Sequence, residues 1–398
     1  MKKLLLVYPN NFLHGATGTN SRVMQLVNMF KQTGFRVDQF AYADFSADSS
    51  FEGFESQNKT HVIHRLFLYP MRSEQKGYAN KSKKKAVDFK NKINNKLKAQ
   101  FKKEILLDWA PARARRYFKA VVEQHQYEVI AVFYIYLAPL LEGLSIKAKK
   151  VYFMEDSYFI QQYALSEKKQ KGLTVGRLMD EEIKRLGLFD EIICISNDEK
   201  VFYEKITGKY IHFLPHLLAD HCSKTETPVR YRKWDVFFIG ADNPFNIEGI
   251  QWFLKEVYPY LKSSNLKILL AGSSVRHLDV EDANITKISY VENLDQIYEQ
   301  VKVTICPMLR GTGMKIKVVE SMAKNIPVVC TERGVDGFAD KTLCGCLVTQ
   351  DAAEFADYIN RLCEDDSFYD RQRKQIAEYY DNVFCIDRYK DFINDVLG

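Results

Sequence analysis

The sequence predicts an α/β protein built from two doubly wound domains, and three observations carry that prediction. Short apolar, β-branched or aromatic runs alternate with helical stretches along most of the chain. The alternation runs twice, separated by one polar, patternless segment. The chain has 398 residues, too many for one ordinary core. Strands that are nearly all apolar, spaced by helices, imply parallel sheets covered on both faces.

The first series has strands at LLLVY (4–8), RVDQFAYA (36–43), HVIHRLFLY (61–69), VIAVFYIY (129–136), KVYFME (150–155), EIICIS (191–196) and YIHFLP (210–215). Helical patterns lie between them, notably at 21–33 and 174–189. After Pro215, HLLADHCSKTETPVRYRK reads as a linker. The second series follows as WDVFFIG (234–240), a helix near 247–262, LKILLAG (266–272), ITKISYV (285–291), a helix near 294–301, VTICPML (303–309), a helix opened by RGTG, PVVCT (327–331) and GCLVTQ (345–350). Amphipathic helices are expected at 352–363 and 386–397. The expected domains are 1–216 with a lysine-rich insertion at about 72–104, a linker at 217–232, a second domain at 233–375, and a C-terminal helical segment, 376–398, packing back on the first domain. Two such domains face a cleft, and ligands belong outside the carboxyl ends of the strands.

Composition excludes several classes. With 46% hydrophobic and 27% charged residues the chain is ordinary globular material, and no apolar run reaches the roughly 18 residues of a membrane span. The start, MKKLLLVYPNNF, resembles a signal peptide, but its apolar run ends at Tyr8 and reads better as a buried strand. Eight cysteines are scattered, several inside strand-like runs, as reduced thiols of a cytosolic protein would be. Neither Cys344-Gly-Cys346 nor the group His216, His221, Cys222 has zinc-site spacing, so no metal is expected. The net charge of +6 is local: residues 72–104 carry twelve Lys/Arg against three acids, so the rest of the chain sums to −3. That segment reads equally as a solvated insertion or as a patch for an anionic membrane surface. No nucleic-acid motif accompanies it.

Three strand-to-helix junctions read as candidates for close ligand approach, against a plain loop at the first, a simple N-cap at the second and a solvated helix with surface lysines at the third. The first, NNFLHGATGTNS, places Gly15 and Gly18 and small hydroxylated residues before a helix, though not as G-x-G-x-x-G, which argues against a dinucleotide. The second, GADNPFN, offers Gly240 for close backbone passage and Asn243 and Asn246 as hydrogen-bonding or capping groups. The third is RGTGMKIKVVESMA. Its cations Arg310, Lys315 and Lys317 stand where a helix's own dipole disfavours them. They become sensible if an anion such as a diphosphate sits at the helix N-terminus. Glu320, one turn further on, is placed to accept hydrogen bonds from vicinal hydroxyls.

CPMLRGTGMKIKVVESMAKNIPVVCT resembles the donor-site signature of the retaining, GT-B-fold glycosyltransferases of family 4, in the variant P-L-R-x-G-x-G-x-K-x-K-x-x-E-x-M-A followed by P-V-V. FFIGADNPFNIEGIQWFLKEVYPYL resembles that family's glycine loop and helix, and ILLAG, ending at Gly272, and YVENLDQIYEQVKVTICP its nucleotide-base region. LGLFDEIICISNDEKVFYEKI resembles the last strand and helix of the acceptor domain. The resemblance covers about 155–365 well and the first 45 residues loosely. It implies that Glu320 is the second acid of an E-x7-E motif and holds the nucleotide ribose. Thr312 occupies the first acid's place, the one that contacts the transferred sugar. The family's basic pair is replaced near Ala241 and Asn246, which leaves Arg310, Lys315 and Lys317 to neutralise a diphosphate, with Thr312 and Gly313 beside it. The acceptor-side residue falls at Asp156.

The reaction so implied moves a sugar from a nucleoside-diphosphate donor to a glycan, lipid-linked or other acceptor with retention, in cell-surface polysaccharide or glycoconjugate synthesis. No Asp-x-Asp occurs in the chain, so no cofactor or metal is expected, the nucleotide sugar being a co-substrate. The expected location is cytoplasmic, with peripheral attachment at the inner face of a membrane through 72–104 as one alternative. A nucleotide-sugar epimerase using His14 and Asp156, or a degenerate sugar-nucleotide-binding scaffold, are the competing functions.

Overall fold

A computed structural model describes residues 2–13, 18–43, 51, 53–70, 106–166, 174–218, 232–261, 265–389 and 391–398. Gly15, His14, His221, Cys222, nearly all of the linker and the lysine-rich segment lie outside the described residues. By contacts the chain divides into two compact units, Met1–Ile193 with Ile393–Gly398, and Cys194–Phe392.

The first series supplies a seven-stranded sheet. Its strands are β1 (Lys2–Val7), β2 (Phe35–Ala43), β3 (Arg65–Pro70), β4 (Val129–Phe133), β5 (Lys149–Met154), β6 (Glu191–Cys194) and β7 (His212–Phe213), ordered β3-β2-β1-β4-β5-β6-β7. β1 pairs parallel with both β2 and β4, so the strand order reverses between β1 and β4. The strands are apolar because both faces are covered: Leu4, Leu5, Leu6 and Val7 are all fully buried, as are Ile130, Ala131, Val132 and Phe133.

The fourth strand is shorter than the apolar run suggested. It ends at Phe133, and Tyr134 takes φ +67° before a 3-10 helix at Ile135–Leu141. The run VIAVFYIY stays apolar through this change because the 3-10 turn is itself buried. Periodicity alone does not separate a buried strand from a buried helical turn.

The second series supplies a six-stranded sheet of β8 (Trp234–Ile239), β9 (Ile268–Ala271), β10 (Ile285–Ile288), β11 (Val301–Cys306), β12 (Val328–Cys330) and β13 (Leu347–Val348). Their order is β10-β9-β8-β11-β12-β13, parallel throughout. Here the order reverses between β8 and β11. One apolar cluster joins Val236, Phe238, Ile268, Leu270 and Val303 to helix Ala352–Glu364 through Phe355 and Ile359. A second joins Cys306, Val328 and Cys330 to Val318, Val319 and Met322 of helix Ile316–Ala323. Covering helices on opposite faces and a reversal at the centre make this a doubly wound domain. The helix expected near 247–262 runs as an α-helix only over Pro244–Trp252, then widens to a π turn and tightens to a 3-10 turn at Tyr258–Tyr260. Pro259 forces that ending, since it has no amide to give.

Candidate donor site in the second unit

The loops after β8 and β11 emerge side by side where the strand order reverses. Gly240 follows β8 and Gly272 follows β9, and their backbones touch: a Cβ on Gly272 would lie 2.3 Å from the Gly240 carbonyl oxygen. Gly272 also adopts φ +90°, a conformation that favours glycine. Ser274 Oγ donates to the Gly240 carbonyl at 2.9 Å, which pins the loop. Asn243 caps helix Pro244–Trp252, its side chain accepting from the Asn246 amide at 2.9 Å. Asn246 in turn donates to the Ala241 carbonyl at 3.0 Å and accepts from Lys317 Nζ at 2.8 Å. The two asparagines therefore tie the glycine loop to the lysine helix.

That helix begins at Ile316, with Lys315 as its N-cap and no side-chain capping bond; the RGTG segment is an extended turn ahead of it. Gly311 and Gly313 take φ +114° and +72°. The three cations are disposed differently. Arg310 is more than half exposed and donates to Glu248 at 2.9 Å. Lys315 Nζ folds back onto the carbonyls of Thr312 and Gly313 at 3.1 and 2.7 Å. Lys317 Nζ sits 4.6 Å above the Phe238 ring and donates to the neutral Asn246 side-chain oxygen. Burial lowers its pKa, and the neighbouring Lys315 adds to this. Holding that ammonium charged costs free energy; Glu320 offsets that cost only in part, and an approaching anion would offset it further.

Glu320 is partly buried beneath the same loops. Tyr298 donates to it at 3.2 Å. Burial pushes its pKa up to about 7, against the opposing pull of that hydrogen bond and of Lys317. A carboxyl at this value is a hydrogen-bond acceptor above neutrality and a donor below it.

One residue of this site is not evident from the sequence. Ser196-Asn-Asp-Glu199 is a capping box: Ser196 caps helix Asn197–Thr207 and bonds the Glu199 side chain. The other oxygen of Glu199 accepts from the Gly313 amide at 3.2 Å. Asp198 beside it accepts from the Gly337 amide at 2.8 Å and pairs with Lys341 at 2.7 Å. One helix start thus fixes two loops of the second unit. S-x-x-E is legible as a cap; its long-range partner is not, since Gly313 lies 114 residues away.

In the first unit, Gly18 opens helix Gly18–Gln32. Asp156 follows Glu155 just past β5. Arg22, nearly fully buried, pairs with Glu155 at 3.8 Å, and burial raises the Glu155 pKa against that pairing. Among the described residues no group of three or more metal-ligating side chains converges, and no helix is long and apolar enough to cross a membrane.

Residues 233–365 match the family described as Glycosyl transferases group 1. An uncharacterized 44.6 kDa protein in the cps region of Klebsiella pneumoniae is 30% identical over 191 residues, 43% of this chain and 46% of that protein, so the match spans about half the length of that curated relative. Several solved structures superpose over the whole chain. A mutant of S. aureus TarM in complex with fondaparinux, α-GlcNAc-glycerol and UDP gives a TM-score of 0.67 at 11% identity, covering 100% of both chains. Anabaena HepE in complex with UDP and glucose gives 0.62 at 13%, covering 100% of this chain and 99% of that one. Sucrose-phosphate synthase from Thermosynechococcus elongatus gives 0.63 at 14%, covering 100% and 98%. The fold is the GT-B fold of these structures, and residues 233–365 are similar to the group 1 glycosyl transferases.

Proposed function

We propose that the chain transfers a sugar from a nucleoside-diphosphate donor held by the second unit, with retention of configuration and without a metal ion. The single observation that carries the reading is Lys317: a partly buried ammonium, tied to the glycine loop through Asn246 and beside a second lysine. It lies at the strand reversal where ligands bind in this fold. In this reading the anion is a diphosphate, lying by the Gly240 loop and the start of helix Ile316–Ala323. Glu320 then meets the ribose hydroxyls one turn along the helix. UDP, present in the TarM and HepE complexes, is the nucleotide to test first.

In the proposed reaction the bond from sugar C1 to the diphosphate oxygen breaks as Lys315 and Lys317 take up the developing negative charge. The acceptor oxygen bonds to C1 on the same face, and its proton passes to the departing phosphate oxygen, so no strong protein base is needed. Arg310, exposed and paired with Glu248, takes the smaller part in this account. Asp156 orients the acceptor. A setting in cell-surface polysaccharide or glycoconjugate synthesis is supported by the relative from a cps region. The same proposal places the protein in the cytoplasm, with peripheral membrane contact through 72–104 to be read by sedimentation with anionic liposomes.

A panel of nucleotide sugars scored by thermal shift tests the donor assignment, because a ligand of the native state raises apparent stability. One nucleotide sugar is expected to stand out, with its shift lost in Lys317→Met. Equal shifts in both proteins would remove the assignment. Incubation with donor alone separates transfer from epimerisation: a changed sugar with no acceptor present would favour an epimerase.

A further inference from the structure

The carboxyl end of the first sheet holds an aromatic group that donor chemistry does not use. Tyr8 follows β1 and Tyr134 follows β4, the neighbouring strands at which that sheet reverses its order. Their rings stack, with centroids 5.8 Å apart and 20° between planes. Trp109 meets Tyr134 edge-on at 5.6 Å, and Tyr158 does so at 5.9 Å. Tyr8 and Tyr158 are buried, whereas Tyr134 and Trp109 keep part of their surface in solvent.

Two further features mark the place. Tyr134 holds φ +67° and ψ +114°, a conformation that a bulky residue avoids and that persists only where packing over-determines it. The acids Glu155 and Asp156 lie alongside: after burial and the Tyr8 phenol, both add to the rise of the Tyr134 pKa. Both also add to that of Tyr158. Arg22 approaches this acidic pair through Glu155.

We infer that this group is a carbohydrate subsite, in which Tyr134 and Trp109 stack on the C–H face of a neutral pyranose ring and Asp156 accepts hydrogen bonds from its hydroxyls. An aromatic face with a carboxylate rim complements a ring that is apolar on its face and hydroxylated at its edge. With Glu155 already paired to Arg22, it is the Asp156 carboxylate that disfavours a ring itself bearing phosphate or carboxylate. Naming the ring as part of the acceptor rests on the transferase reading; carbohydrate binding itself rests on the aromatic and acidic geometry of the first unit.

Saturation-transfer NMR on the full chain, with UDP present, tests the inference using maltose, methyl β-D-galactopyranoside and glucose 6-phosphate as probes. Transfer to the ring C–H protons of at least one neutral sugar is expected, with glucose 6-phosphate weaker. That transfer should fall at least about fivefold in Tyr134→Gly and in Trp109→Ala and be largely kept in Tyr134→Phe. Glycine is chosen because it takes a positive φ without strain; because the packed ring is lost with it, far-UV circular dichroism of each variant establishes that it is folded before its NMR is read. No transfer to either neutral sugar, equal transfer in wild type and both truncations, or preference for glucose 6-phosphate would each overturn the inference. Absence of any UDP shift in the wild type would count against the transferase reading alone, while the NMR comparison still decides the subsite.

Discussion

The two sheets reverse their strand order in the same way, β1 beside β4 and β8 beside β11, yet their carboxyl ends carry opposite chemistry. In the second unit the reversal is lined by glycines 240, 272 and 313 and by Lys315 and Lys317. In the first it is lined by Tyr8, Tyr134 and Tyr158 with Glu155 and Asp156. The fold fixes where a ligand approaches; the loop residues fix what it is. Bare backbone and ammonium suit a diphosphate, and aromatic faces with carboxylates suit a neutral ring.

The largest expected effect is at Lys317. Lys317→Met should lower donor turnover by roughly a thousandfold, the scale of losing one preorganised charge partner in a transition state. A steady-state assay checks this, and turnover within about threefold of wild type would erase the contrast between the two reversals.

Next come the glycines, which separate close approach from mere turning. Gly272 and Gly143 both have positive φ, at +90° and +69°, but only Gly272 has backbone within clashing distance, Gly143 having nothing within 4 Å. Gly143→Ala should cost about 1 kcal/mol, the left-handed penalty alone, and Gly272→Ala at least about 3 kcal/mol more, since backbone must shift. Denaturant unfolding of the two variants measures the gap, and equal costs would show that the 240–272 contact is not constrained.

Glu320 predicts a pH-dependent stability of definite sign. Its pKa is raised from 4.5 to about 7, so the native state binds its proton more tightly than the unfolded chain. The stability from the protonated carboxyl is full below about pH 4.5 and is lost as pH rises to about 7. Glu320→Gln should therefore match wild type near pH 5 and exceed it at pH 8 by up to about 3 kcal/mol. A gap that grows as pH falls would reverse the assignment.

Smaller effects should follow from positioning. Glu199→Gln keeps an acceptor for the Gly313 amide but loses the charge, and should raise the donor KM by roughly tenfold with kcat little changed. Arg310→Ala should change turnover by no more than about threefold, as expected of an exposed, salt-bridged side chain. A loss at Arg310 larger than that at Lys317 would reverse the ranking within the site.

Much of this was legible in the sequence, for identifiable reasons. Fully buried parallel strands are written as apolar runs, so WDVFFIG and LLLVY declared themselves, and RGTGMKIKVVE carries a charge order that a bound anion would rationalise. What was hidden depends on distance along the chain or on backbone strain. Nothing local says that Glu199 reaches Gly313, or that Arg22 meets Glu155. The run VIAVFYIY does not reveal that Tyr134 turns into a left-handed conformation, because strand and buried 3-10 turn are equally apolar. Nor did the three cations of RGTGMKIK differ on paper, whereas the fold leaves Arg310 to Glu248 and draws Lys317 beneath the glycine loop.

The central claim is that the second unit holds a nucleoside diphosphate by Lys317 with its ribose on the Glu320 carboxylate. Calorimetric titration of the nucleotide sugar selected by thermal shift, from about pH 6 to about pH 8.5, tests it most directly. Wild-type affinity should weaken as pH falls through about 7, where Glu320 gains its proton, by up to about tenfold per unit below that point. The Glu320→Gln profile should be flat and weaker at pH 8. A wild-type profile with no inflection near neutrality, or one unchanged by Glu320→Gln, would contradict the account.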